Sequence, residues 1–277
     1  MKLQVTSHVL RRHAALALIA CSTLAPRAGF GQSASIIRDS IPGTLVSFEM
    51  VYVPAPAKGA ASNSNSGAAP RATIKPFYIG RTEVSWDMYD VYMHKIDAKR
   101  STPAADAIAR PSMPYAVPDY DWGHAGFAAM SITFQAAQRF AEWLSAKTGH
   151  KYRLPTEAEW VHAATLAAGT APLTRARVDA IAWHSANAEG TTHAMATKKP
   201  DALGLFDVFG NVTEWVVTGD AVAVTRGGSF RDDPAKLGPQ LRLPQKREWT
   251  ERDPQLPSSR WWLTDGPFVG FRLVRDP

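Results

Sequence analysis

The chain has 277 residues, a formal net charge of +6 and one cysteine, Cys21. Four basic residues and no acidic ones lie in the first 31 positions, so the rest of the chain carries a formal charge of only +2, which gives little support for a nucleic-acid-binding protein. A single cysteine also excludes an intramolecular disulfide, and we therefore expect the hydrophobic core alone to stabilise the fold.

The first 31 residues have the layout of a secretory signal peptide. Basic residues precede a short, mostly apolar run at 14–25, and small residues precede a cleavage point before Gln32. The apolar run is too short to cross a bilayer as a helix. We therefore predict a signal peptide at 1–31 and an N-terminal extension at 32–43, with no transmembrane segment.

A second way of processing this leader stays open. Residues 18–21 read Leu-Ile-Ala-Cys and resemble a bacterial lipobox, in which Cys21 would be lipidated and become the new N terminus. Ordinary cleavage is favoured because it uses the whole of the apolar run. Either route predicts an extracytoplasmic protein, periplasmic or secreted, and the second adds a lipid anchor at Cys21.

The segment after the leader begins with strand-like sequence. Apolar residues at 44–56 stand at both odd and even positions, which face opposite sides of a strand, and this predicts a strand buried on both sides. Small and polar residues at 57–70 predict a flexible surface loop, and residues 77–79 predict a short strand. Ser85 is a suitable N-cap for a helix whose aromatic side chains form one stripe.

Two clearer helices follow a proline-rich stretch at 96–128, which we interpret as a long ordered loop. Residues 134–149 place apolar side chains on one helical face, and the glycine at the end provides a stop signal. Thr156 and Glu159 form the capping-box pattern of a second helix within 152–165.

From residue 183 onward the sequence is rich in glycine, asparagine, aspartate and aromatic residues. The stretches AVTRGGSF and FVGFRLVR predict strands, and residues 231–267 between them predict a long irregular loop. No internal repeat or second linker occurs in the sequence. We therefore expect one loop-rich α+β domain.

Residues 226–240, RGGSFRDDPAKLGPQ, combine two glycines with a serine and two aspartates. A phosphate-binding loop needs Gly-Lys-Ser or Gly-Lys-Thr at the start of a helix, whereas here Phe230 and Arg231 follow the serine and Pro234 lies close behind. The glycines are better explained by a strand that passes close to other backbone.

Histidines and carboxylates give weak metal signals. None of the six histidines after the leader has HxH or HExxH spacing, although His184 and His193 flank one loop. Asp207 and Glu214 lie seven positions apart across a Gly-Asn turn, and a turn of this kind can direct carboxylates and backbone carbonyls at a calcium ion. The residues alone favour a local structural role over calcium.

Five stretches in this order together resemble the formylglycine-generating enzyme, or sulfatase-modifying factor, family. They are PFYIGRTEVSWDMYDVYM, FAEWLSAKTGHKYRLPTEAEWVHAA, ALGLFDVFGNVTEWV, RGGSF and GFRLVR. The resemblance covers residues 44–277. It implies a single α+β domain with the sulfatase-modifying-factor fold, a loop-rich variant of the C-type lectin fold.

The resemblance also implies which residues matter. The family enzymes hold Cu(I) with two cysteines, whose positions here are Asp232 and Leu237, so copper is not expected. Ser229 matches the active-site serine of the family. The catalytic candidates are therefore Ser229 and Asp232.

The resemblance implies one structural calcium site. Its ligands are identified as Asp207, Gly210, Val212 and Glu214, the two middle residues contributing carbonyl oxygens. The other calcium site of the family would start at Asn187 and Ala188, but its remaining ligands lie in a longer loop that this chain lacks.

Two functions stay open, and whether the chain is an enzyme is undecided. The first is a binding or scaffold module that presents its variable loops to an extracytoplasmic peptide, protein or glycan. The second is an oxidative maturation enzyme with non-thiol chemistry, such as periplasmic siderophore or protein oxidation. In that case Asp233 and either His184 or His193 would join Ser229 and Asp232 around one pocket.

Overall fold

The computed structural model describes residues 35–57, 74–97, 100–112, 114, 118–220 and 222–277. The predicted signal peptide, the predicted lipid anchor at Cys21 and nearly all of the predicted loop at 57–70 lie outside these residues. Within them, no helix combines the length and the hydropathy that crossing a membrane requires.

One sheet has five antiparallel strands in the order β1-β2-β3-β9-β4. The strands are β1 (Ile36–Ser40), β2 (Ser47–Val53), β3 (Phe77–Gly80), β4 (Tyr152–Arg153) and β9 (Val274–Arg275). The edge strand β1 comes from the segment predicted as an N-terminal extension and pairs with β2, Ile36 lying opposite Val51. That segment therefore completes the sheet.

A second, four-stranded sheet has the order β7-β6-β5-β8. Its strands are β5 (Thr213–Val216), β6 (Val224–Arg226), β7 (Arg242–Pro244) and β8 (Val269–Gly270). All pairs are antiparallel except β5 with β8. Only residues 271–273 separate β8 from β9, so the C-terminal strands join the two sheets.

The described residues contain five α-helices: α1 (Trp86–Met93), α2 (Pro103–Asp106), α3 (Phe134–Thr148), α4 (Glu157–Ala168) and α5 (Arg175–Ile181). Ser85 caps α1, and Thr156 with Glu159 forms a complete capping box at α4, as predicted. Gly149 ends α3 in the left-handed conformation. The short helices α2 and α5 were not predicted, because neither has enough residues to show a periodic pattern.

Two hydrophobic clusters form the core of the unit Ala34–Pro277. The first surrounds α1 and α3, where Tyr89, Phe140 and Phe271 lie in mutual aromatic contact. The second lies beneath α4 and α5 and includes Trp160 and Phe209. Mixed helices and sheets with extensive ordered loops confirm the predicted α+β fold.

Candidate functional site

Ser229 and Asp232 lie together at a tight turn that follows β6. The backbone N–H and the hydroxyl of Ser229 both donate to Oδ2 of Asp232, each at 2.8 Å. The N–H of Asp232 donates back to the carbonyl of Ser229 at 3.0 Å. Ser229 is only 1% exposed. The pair therefore closes the turn, and the serine hydroxyl is not accessible as a nucleophile.

The two glycines before this turn allow the close backbone approach that the sequence predicted. Gly227 has φ +92°, and a Cβ there would lie 2.6 Å from the carbonyl oxygen of Val208. Gly228 has φ +75°, and its Cβ would lie 2.5 Å from Leu237. These left-handed residues also end β6 at Arg226, so the strand is shorter than the predicted AVTRGGSF.

The residues at the predicted copper-ligand positions do not fit Cu(I). Asp232 offers a hard carboxylate oxygen that already accepts two hydrogen bonds. Leu237 is buried in the second hydrophobic cluster and has no donor atom. Because Cu(I) prefers thiolate and thioether ligands, this pair of residues does not provide a copper centre.

The other residues of the predicted oxidative pocket have separate structural partners. Nε2 of His184 lies 2.7 Å from Oδ1 of Asp179, and burial lowers the pKa of this histidine. The ring of His193 stacks on a tryptophan, and Asp233 accepts from a backbone N–H at the next turn. Among the described residues, none of these three side chains hydrogen-bonds to the side chain of Ser229 or Asp232.

A buried polar cluster is centred on Glu214 of β5. Both oxygens of Glu214 accept from the guanidinium of Arg272, at 2.8–3.1 Å, and Nε1 of Trp160 donates to Oε2 at 2.7 Å. The charge of Glu83 interacts with those of Asp207, Glu214 and Arg272. We call Glu83, Asp207, Glu214 and Arg272 the carboxylate cluster.

Negative charge exceeds positive charge in the carboxylate cluster. Burial raises the pKa of Glu83 well above its usual range, and the charge of Asp207 adds to the effect. Burial also raises the pKa of Asp207 to about 6. Oε2 of Glu83 and Oδ1 of Asp207 are buried and have no hydrogen-bond partner. Protons or a cation must therefore compensate these oxygens.

The predicted calcium ligands fit a hard cation in part. Asp207 has a buried oxygen to spare, whereas both oxygens of Glu214 are bonded to Arg272 and Trp160. Within the described ranges, no three His, Cys, Asp or Glu side chains are arranged to hold a metal by themselves, so calcium would depend on the carbonyls of Gly210 and Val212. The assignment to these four residues stays a prediction.

Sequence reasoning did not assign a role to Glu83 or Arg272. Each lies inside a stretch that carried the family resemblance, RTEVSW and GFRLVR. Arg272 lies between apolar residues in GFRLV, and this signal could have found it, because a charged residue is seldom buried without a partner. Glu83 follows Arg81 and Thr82, so its local sequence carries no such signal.

Exposed aromatic side chains lie beside the Ser229–Asp232 turn. Tyr120 and Trp122 stack with their ring centroids 5.1 Å apart, and Trp122 meets the buried ring of Phe230 edge to face at 5.4 Å. The guanidinium carbon of Arg231 lies 4.7 Å from the centroid of Phe268. We call Tyr120, Trp122, Arg231 and Phe268 the aromatic platform.

His124 fixes the loop that carries Tyr120 and Trp122. Its Nδ1 lies 2.9 Å from Asp119 and its Nε2 lies 2.8 Å from Asp90 on α1. Both partners are carboxylates, so both hydrogen bonds form only when the ring is protonated. Burial opposes this charge, but the bonds to Asp90 and Asp119 outweigh it and raise the pKa of His124.

Residues 44–277 match the family described as "Sulfatase-modifying factor enzyme 1-like domain". The chain belongs to the sulfatase-modifying factor family. The predicted family is therefore confirmed over the range that the sequence motifs indicated. Within this sulfatase-modifying factor domain, the positions predicted to match the family's copper ligands hold Asp232 and Leu237.

Solved structures share the fold of this sulfatase-modifying factor domain. Treponema denticola variable protein 1 has a TM-score of 0.61 and 21% identity, and the match covers 87% of this chain and 99% of that one. PvdO from Pseudomonas aeruginosa has a TM-score of 0.57 and 20% identity, covering 89% of this chain and 100% of that one. CarF has a TM-score of 0.52 and 20% identity, and the match covers 83% of this chain and 98% of that one.

One curated relative shares only a segment with the chain. The serine/threonine-protein kinase pkn1 of Chlamydia pneumoniae is 36% identical over 96 residues, which is 34% of this chain and 14% of the kinase. The chain thus spans about a seventh of that protein's length. The match is consistent with a module that also occurs inside larger proteins.

Proposed function

We propose that this sulfatase-modifying factor domain is a binding module for an extracytoplasmic ligand and does not generate formylglycine. The observation that carries the proposal is the Ser229–Asp232 turn. At the position of a family copper ligand, the chain has a carboxylate whose hydrogen bonds hold a buried serine in place. A residue committed to this structural role is not available for oxygen chemistry.

The aromatic platform supports a binding function for the surface beside the Ser229–Asp232 turn. Tyr120 is 42% exposed, and Trp122 and Phe268 are half-buried, so three aromatic rings contact solvent beside the turn. The backbone beneath them is fixed, because the Tyr120 hydroxyl donates to the carbonyl of Thr264 and His124 holds the loop base. Rigid aromatic side chains lose little conformational entropy when they bind a partner.

The proposed extracytoplasmic location rests on the basic and apolar pattern of residues 1–31. A ligand met there would be a peptide, a protein or a glycan. Fractionation of the source cells, with the chain detected by antibody, would test the location independently of binding.

A paired binding assay tests the proposed function. Purified mature protein is applied to immobilised peptide and glycan collections, and each ligand found is measured again in solution by calorimetry. We expect Tyr120→Ala to weaken binding at least tenfold, on the scale of a lost aromatic anchor. Leu45→Ala is the matched control, because Leu45 is fully exposed on the separate connection between β1 and β2.

Two results would contradict the proposal. One is binding that is the same for wild-type protein and for Tyr120→Ala. The other is oxygen-dependent conversion of any ligand found, observed by mass spectrometry of the ligand after incubation with the protein. The second result would support the oxidative alternative instead.

A further inference from the structure

Arg231 is an exposed cation without an acidic partner in the described part of the chain. Arg226, five residues earlier, pairs with Glu157 at 2.5 Å, and most other arginines of the domain also have a carboxylate within reach. The carboxylate nearest in sequence, Asp232, interacts with the charge of Arg231 but forms no ion pair with it, and its Oδ2 accepts both hydrogen bonds from Ser229. Among the described residues, the guanidinium of Arg231 donates no hydrogen bond, and two aromatic rings lie beside it.

The aromatic rings around Arg231 hold its guanidinium in place. The guanidinium carbon lies 4.7 Å from the centroid of Phe268 and 5.3 Å from that of Phe230. Desolvation by these neighbours lowers the pKa of Arg231, although an arginine remains charged at neutral pH. A positioned, partly dehydrated guanidinium is well suited to form two parallel hydrogen bonds with a carboxylate.

The negative charges beside the aromatic platform favour a ligand with one carboxylate over a ligand with many anionic groups. Asp121 and Asp233 are exposed and follow Tyr120 and Asp232 directly in the chain. A polyanion such as a uronic acid polymer would bring further negative groups toward these aspartates. A peptide with one carboxylate next to an apolar residue avoids that repulsion.

We propose that Arg231 is the anion anchor of this face, where it pairs with a carboxylate of a peptide segment in a protein partner. Neighbouring apolar groups of that segment lie on Tyr120 and Trp122. Tryptophan, tyrosine and arginine are the residue types that dominate the energetics of protein interfaces. This inference rests on the proposed binding function and adds the chemistry of the ligand.

A library of short peptides in matched forms tests the anchor. Each sequence is synthesised with Asp or Glu, with Asn or Gln in its place, and with a free or an amidated C terminus. These arms separate a side-chain carboxylate from a terminal one. We expect wild-type protein to prefer a carboxylate form by about tenfold or more, because a charge-assisted hydrogen bond to arginine is lost in the amide.

Variants of Arg231 make the test specific. Arg231→Gln is expected to bind carboxylate and carboxamide peptides equally weakly, and Arg231→Lys to keep part of the preference. Arg139→Gln is the matched control, since Arg139 is exposed on α3 and pairs only with Glu142 there. Thermal unfolding of each variant checks that the fold is unchanged.

The outcomes separate this inference from the proposed function. Equal binding of acid and amide peptides, unchanged in Arg231→Gln but weakened in Tyr120→Ala, would overturn the anchor and leave a binding module. Binding of acidic glycans but of no peptide would also overturn it. If neither collection yields a ligand, the inference and the proposed function fail together.

Discussion

The Ser229–Asp232 turn and the carboxylate cluster are both built around carboxylates, but Asp232 is only partly buried whereas the carboxylates of the cluster are buried. At the turn, one carboxylate oxygen receives two hydrogen bonds from Ser229. In the cluster, three carboxylates share the single guanidinium of Arg272, and two carboxylate oxygens have no partner. The acceptor oxygen at the turn thus has its hydrogen bonds, whereas the cluster needs protons or a cation for its two unpartnered oxygens.

This difference separates the two metal sites that the family resemblance predicts. At the predicted position of a copper ligand, the carboxylate of Asp232 closes a turn. The predicted calcium framework still has a charge imbalance that a cation would relieve. A prediction of no copper site is therefore compatible with the prediction of a calcium site.

The largest expected effect comes from breaking the buried ion pair. Arg272→Met leaves the carboxylate of Glu214 buried with only Trp160 as a partner, and we expect a loss of about 3–5 kcal/mol in the free energy of unfolding. Urea denaturation measures it. The matched variant Arg139→Met removes an exposed guanidinium and is expected to cost less than about 1 kcal/mol. Similar losses in the two variants would show that the cluster does not depend on Arg272.

A smaller loss is expected at the turn. Asp232→Ala leaves the buried N–H and hydroxyl of Ser229 without an acceptor, which costs about 1–3 kcal/mol. Asp232→Asn keeps one acceptor oxygen and is expected to recover part of this loss. Denaturant unfolding of both variants checks that Asp232→Ala loses more stability than Asp232→Asn. An unchanged stability in Asp232→Ala would mean that the carboxylate is free for another role.

Calcium is expected to stabilise the protein more at neutral than at acidic pH. Burial raises the pKa of Asp207 from 3.8 to about 6, so its contribution to stability is present below about pH 4 and is lost as the pH rises through 6. A cation competes with that proton. Calorimetric melting should therefore show a larger calcium-dependent rise in Tm near pH 7.5 than near pH 5. Asp207→Asn is expected to remove the difference, and a calcium effect that survives in this variant would place the ion elsewhere.

The smallest effect concerns His124. Because the bonds to Asp90 and Asp119 raise its pKa in the folded state, the stabilisation is present below the usual value of 6.5 and is lost as the pH rises through the raised value. NMR titration of the imidazole measures this pKa directly. The variant His124→Gln should lose the corresponding pH dependence of unfolding. A pKa of His124 at or below the usual value would contradict the hydrogen bonds from the protonated ring to Asp90 and Asp119.

Local patterns predicted much of the fold but only part of the candidate site. The helix caps at Ser85 and Thr156 could be predicted from the sequence because each involves residues three positions apart. The hydrogen bond from Asn211 to Glu83 spans 128 positions, and no local pattern reveals such a contact. The aromatic platform likewise joins a loop near residue 120 to residues after 230, so only the folded chain shows it.

Copper titration with product analysis tests the central claim most directly. Mature protein is titrated with Cu(I) and then incubated with oxygen and a peptide that carries a sulfatase cysteine motif. We predict no tight copper binding and no aldehyde in the mass spectrum of the peptide, because Asp232 and Leu237 provide no sulfur ligand. Tight copper binding together with aldehyde formation would contradict the account.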